Sequence, residues 1–153
     1  MVDPAQLGLR PGRAADAEAL AQCYHQIRAE CVPQIPPSIH DLESIRTYMA
    51  EVVLTTQRVT VVEAHGELLG FSATRPGILE SLYLARSITG HGVGSRLIDL
   101  AKARSPKGLE CWVFQSNLDA LRFYGRHGFI EVERTDGSTN EEQAPDVRLR
   151  WTR

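Results

Sequence analysis

The sequence predicts an α/β chain, an α+β sandwich on a mixed sheet, and three observations carry that reading. Short β-branched or alternating runs recur between segments of helical period. The period switches from strand to helix at a glycine-rich loop after Leu84. Runs joined by a tight turn sit beside runs joined through a helix, so antiparallel and parallel pairs share one sheet. The length, 153 residues, is that of one domain spanning 1–153.

The elements follow in order. Leu7-Gly8-Leu9-Arg10 alternates and is closed by Pro11-Gly12, a short first strand and a turn. A helix starts near Asp16, with Leu20, Cys23, Tyr24, Ile27 and Cys31 at helical spacing, and Pro33 with Pro36-Pro37 stops it. Ser38 or Asp41 caps a second helix whose apolar face is Leu42, Ile45, Met49 and Val52 or Val53. Residues 59–62 and 68–73 form a hairpin around the turn at 64–67, and Arg75-Pro76-Gly77 ends it. Residues 78–84 make a fourth strand, a largely apolar run with one acid, Glu80. A third helix follows the glycines and ends at Ser105-Pro106-Lys107-Gly108. A fifth strand, 109–114, leads to a fourth helix capped by Asn117 and closed by His127-Gly128. Residues 129–135 and 147–151 are the last strands, separated by a polar loop at 136–146.

Composition narrows the function classes. Hydrophobic residues at 42% and charged residues at 24% are ordinary for a globular chain. Seventeen basic against nineteen acidic residues give a formal charge of −2, which offers no cationic face for nucleic acid. The start of the chain shows no basic stretch followed by an apolar one, and no run approaches the roughly 18 apolar residues of a membrane span. Cys23, Cys31 and Cys111 are odd in number and scattered, which suits a reducing, cytoplasmic setting. The five histidines show no ligand spacing with cysteines or carboxylates, so no metal site is expected.

Thr89-Gly90-His91-Gly92-Val93-Gly94 brings bare amides to a helix start, which makes an anion site; a tight strand-to-helix connection is the other reading. A phosphate-gripping Walker loop needs Gly-Lys-Ser/Thr, and here Gly94 precedes Ser95-Arg96. The dinucleotide fingerprint fails as well, because its third glycine would fall on Ser95 or Leu97.

That loop, after the strand Glu80-Ser81-Leu82-Tyr83-Leu84, resembles the Q/R-x-x-G-x-G/A element of the GNAT N-acyltransferases, with Thr89 in place of the usual Gln or Arg. A second element of the family, N-x-x-A-x-x-F-Y-x-x-x-G-F, is matched by Asn117, Ala120, Phe123, Tyr124, Gly128 and Phe129. Arg86 stands where a proline often follows the fourth strand. The resemblance implies the GNAT fold: a mixed sheet of about seven strands with four helices. It implies acetyl-CoA as co-substrate, its pantetheine on the backbone of Leu82, Tyr83 and Leu84, and its phosphates on the amides of Thr89, Gly90, His91, Gly92, Val93, Gly94 and Ser95. Asn117 and Tyr124 would complete that site, and a homodimer is implied by family analogy alone.

Acetyl transfer to an amine requires loss of a proton from an ammonium of pKa ~10. Glu80 is the candidate base, as a partly desolvated carboxylate on the strand that holds the thioester; a carboxylate bound to backbone or an arginine is the other reading. Tyr124 is the candidate acid at the departing thiolate, and the N–H of Leu84 the donor to the oxyanion. No cysteine lies in a nucleophile's context, so direct attack by the amine is expected. Residues 136–146 hold four acids and no base, and Glu141 and Glu142 are expected to draw in a cationic primary amine. The leading expectation is an acetyltransferase acting on a small cationic amine. A protein N-terminal or lysine acetyltransferase, and a CoA-binding module without turnover, are the alternatives.

Overall fold

The computed structural model describes residues 3–153; Met1 and Val2, at the head of the stretch read as lacking a leader, lie outside the described residues. Seven strands form one sheet in the order β1-β2-β3-β4-β5-β7-β6, from β1 (Gly8–Pro11), β2 (Arg58–Ala64), β3 (Glu67–Arg75), β4 (Ile78–Leu84), β5 (Leu109–Phe114), β6 (Ile130–Thr135) and β7 (Asp146–Trp151). Every neighbouring pair is antiparallel except β4 and β5.

The helices are set by local chemistry. Helix α1 (Ala17–Glu30) follows a turn in which the Asp16 carboxylate takes the Arg13 amide at 2.7 Å and the Arg10 guanidinium at 2.8 and 2.9 Å. Of the two caps expected for the second helix, Asp41 serves: its Oδ1 accepts the Ser44 amide at 2.8 Å. That helix, α2, runs through Leu42–Tyr48, a π-turn at Met49–Val53 and a last turn at Leu54–Thr56. Helix α3 (Val93–Ala103) starts at Gly92, whose φ of 78° is a left-handed conformation costly for any side chain. Helix α4 (Leu118–Arg126) is capped by Asn117, whose Oδ1 accepts the Ala120 amide at 3.2 Å.

Alternating strand residues divide the core between the two sheet faces. On one face, Val59, Val61, Phe71 and Ala73 pack with Leu20, Ile27, Ile45 and Met49 of α1 and α2. On the other, Val62, Leu69, Leu79, Cys111, Val147 and Leu149 lie in the clusters built around α3 and α4. Over β5, β7 and β6 the helices cover only this second face. Trp112 and Ile130 accordingly stand exposed on the first. No helix among the described residues is long and apolar enough to cross a membrane.

Candidate active site

The parallel strands β4 and β5 meet at one register pair, Ile78 with Glu110, where the Glu110 amide donates to the Gly77 carbonyl at 2.9 Å. Beyond it they diverge. The gap opens into a cleft of about 860 Å³, walled by residues 79–84 of β4, residues 111–114 of β5, the glycine loop and α4. The segment after α1 roofs it: Arg86 donates to the Glu30 carbonyl at 2.7 Å, and the Ser116 hydroxyl to the Gln34 carbonyl at 2.7 Å. One clasp comes from beyond β4 and the other from beyond β5.

Backbone alternation decides what β4 presents to this gap. Ala85 donates to the Leu69 carbonyl at 2.8 Å, which makes Leu69 and Ala85 a hydrogen-bonded pair. In an antiparallel ladder such pairs alternate, so Gly70–Leu84 and Ser72–Leu82 are the non-bonded pairs. The N–H and C=O groups of Leu82 and Leu84 therefore turn away from β3, toward β5, into the splayed gap. A strand edge left open in a groove needs a partner for these groups.

At the end of β4 the chain turns through Arg86–Ile88 into the glycine loop. The Thr89 amide is already bonded to the Arg86 carbonyl, so that residue offers the cleft no amide. Thr89, Gly90, Gly92, Gly94 and Ser95 all line the cleft. Val93, Gly94 and Ser95 form the first turn of α3, whose amides have no carbonyl within the helix and carry its positive dipole end. The side chain of Val93 is buried beneath α3, so its contribution is backbone, and His91 is absent from the cleft wall. A side chain at Gly94 would come within 3.1 Å of the Phe123 ring, which fixes α4 against the loop. Ser95 Oγ pairs with His127 Nε2 at 3.0 Å, and burial pushes that imidazole below its ordinary value of 6.5.

Tyr124 lines the cleft from α4 with its ring held edge-on by Phe123 and Phe129. Burial raises its phenol well above the ordinary value of 10. Cys111, across from it on β5, has its thiol pushed up to about 12 by burial, which keeps it a protonated, inert side chain at neutral pH. Asn117 also lines the cleft; its Oδ1 is spent on the helix cap, which leaves the amide nitrogen.

Glu80 lines the cleft too, but its surroundings differ from the expected desolvated carboxylate. It is exposed, and Arg75 binds its Oε1 through Nη2 at 2.5 Å and Nε at 2.9 Å. The register explains its position. Ala73 pairs with Ser81 and Thr74 with Leu79, so Glu80 is the extra residue of a β-bulge, re-aimed to the mouth of the gap.

The acidic loop is not where the sequence reading put it. Neither Glu141 nor Glu142 lines the cleft. Glu141 pairs with His40 at 3.0 Å, and Glu142 lies 3.7 Å from the guanidinium of Arg28. Arg28, only 3% exposed, also donates to the Tyr24 hydroxyl at 2.7 Å and the Pro36 carbonyl at 2.8 Å. The physical reason is pairing across the fold: the Arg28 guanidinium of α1 and the His40 ring just before α2 meet the loop's two adjacent carboxylates. Sequence reasoning missed Arg28, although it falls one turn after Tyr24 on the apolar stripe of α1. It also missed Trp112, whose place on the outward side of the alternating strand 109–114 was the available signal. No group of three or more His, Cys, Asp or Glu able to hold a metal occurs among the described residues.

Comparison with known proteins agrees with this geometry. A family model described as the acetyltransferase (GNAT) domain matches residues 55–131. An acetyltransferase from Thermus thermophilus superposes with a TM-score of 0.75 at 19% identity, covering 97% of each chain. The yncA protein of Salmonella typhimurium, determined with its cofactor acetyl-CoA, gives 0.70 at 17% identity over 95% of this chain and 93% of its own. A ribosomal-protein-alanine N-acetyltransferase from Brucella melitensis gives 0.70 at 21% identity over 95% and 99%. With the open amides of β4, the glycine loop and the Asn117–Phe129 segment all in place, the chain belongs to the GNAT family of acetyltransferases.

Proposed function

We propose that this protein transfers an acetyl group from acetyl-CoA directly to the primary amine of a small molecule. The observation that carries the reading is the pair of open backbone units at Leu82 and Leu84, facing the gap between β4 and β5 and ending at the amides of α3. An extended chain with its own amides and a phosphate tail matches that surface. The pantetheine would pair with β4 as a missing strand, and the first turn of α3 would take the pyrophosphate. Acetyl-CoA supplies the activated thioester.

The residues of the chain supply the rest. Tyr124 keeps its proton at neutral pH, and its raised phenol exceeds a thiol's ~8.5, so it donates a hydrogen bond to the departing sulfur without surrendering the proton. The N–H of Leu84, open to the gap, would be the donor to the oxyanion. Glu80, at the open mouth, receives the incoming ammonium and hands its proton to water. The three free thiols suit a reducing, cytoplasmic setting.

The test measures acetyl-CoA binding by thermal shift, and free thiol release with a set of small primary amines and peptides. Acetyl-CoA at about 100 times its Kd should stabilise the fold by ~2.7 kcal/mol. Gly92→Val should abolish the shift while the protein stays folded, since a Cβ there meets nothing within 4 Å and only the left-handed φ is strained. Absence of thiol release with every acceptor overturns the reading, and faster release with peptides moves the acceptor to proteins.

A further inference from the structure

Resting on that reading, the structure assigns a chemical class to the acceptor: we infer that its amine is carried on a flat, apolar body that stacks on Trp112. Trp112 sits on β5, two residues past the single pair that joins β4 to β5, and Glu80 sits two residues past it on β4. The two side chains therefore flank the start of the splay on neighbouring strands, and both line the cleft.

The indole is 51% exposed although it belongs to the wall of a cavity. An exposed tryptophan is the largest flat apolar surface a chain can offer, and it gains most when a ring covers it. The wall on this side of the sheet also carries Ile27 and Ile35 from the roof and Tyr83 and Phe114 from the strands, with Gln34 and Ser81 among its polar members. Acids are few on this wall. Neither Glu141 nor Glu142 lines the cleft; of the two acids that do, Asp119 sits on α4 and pairs with Arg122, and Glu80, whose Oε1 is held by Arg75, is the one that the strands set beside Trp112. One ammonium beside Glu80 and an apolar ring on Trp112 match this distribution; a polyamine's further charges would find one other carboxylate on the wall, Asp119, already paired with Arg122.

The test compares kcat/KM, by thiol release at fixed acetyl-CoA, for phenethylamine, butylamine, spermidine and an alanine-leading peptide with wild type, Trp112→Ala and Trp112→Phe. Phenethylamine should be the best acceptor. Trp112→Ala should raise its KM about tenfold or more with kcat and acetyl-CoA affinity within twofold, and Trp112→Phe should restore most of the loss. Butylamine should respond little to either change. Preference for spermidine or the peptide, or an equal loss for all acceptors in Trp112→Ala, overturns the inference while leaving acetyl transfer standing. Thiol release from none of the four overturns both.

Discussion

Arg28, buried in α1, and Glu142, on the loop between β6 and β7, stand 3.7 Å apart and tie that loop to the helix. The guanidinium is shielded from solvent, and its Nε is buried without a partner. Glu142→Gln should therefore strand a buried cation and cost about 3 kcal/mol in urea unfolding. Arg28→Met combined with Glu142→Gln should recover much of that loss, because a neutral pair leaves no buried charge. A Glu142→Gln variant as stable as wild type would show that the pair carries no such weight.

Tyr124→Phe separates packing from chemistry. The ring sits among Phe123, Phe129 and Cys111, so removal of the hydroxyl keeps the apolar contacts and Tm should stay within about 1–2 °C. The turnover number should fall about 100-fold, with KM for the amine little changed, because a donor to the leaving sulfur acts in the transition state. Steady-state kinetics at saturating acetyl-CoA reads both, and an unaltered kcat would remove Tyr124 from the reaction.

His127 gives a pH dependence whose sign follows from its shift. Burial, with Lys102 nearby, lowers its folded value below the ordinary 6.5, so the unfolded chain binds the proton more tightly. Its contribution to stability is present above about 6.5 and is lost as pH falls through the lower folded value. The stability advantage of wild type over His127→Gln should thus narrow between pH 7 and pH 5, and an NMR titration of the ring should show a midpoint below 6.5. A midpoint above 6.5 would mean that the ring is held charged.

Much of the architecture was legible because local signals agreed with the global arrangement. The hairpin of β2 and β3, the glycine-led start of α3 and the Asn117 cap of α4 all stand where spacing and cap chemistry put them. What escaped the sequence was relational. Glu141 and Glu142 looked free because their partners lie in other elements, and no local pattern marks His40 or Arg28 as reaching that loop. Trp112 read as one residue of a strand, since its exposure depends on helices covering only the opposite face of β5. The π-turn in α2 adds one residue per turn without altering composition, so periodicity alone passes over it.

The bulge in β4 has a consequence for how the acceptor end is made. Thr74 and Ala73 are consecutive on β3 and pair with Leu79 and Ser81, so the hydrogen-bond ladder closes on either side of Glu80 as though that residue were surplus. An extra residue bends its strand and raises the local twist, and Glu80 stands two residues past Ile78, the one residue of β4 paired with β5, so the bulge lies where the two strands part. The carboxylate at the mouth is thus carried by the irregularity that marks the start of the splay, and beyond it Leu82 and Leu84 stay turned into the gap. Under the proposed reading, a single extra residue ties the carboxylate that meets the acceptor to the opening that takes the co-substrate.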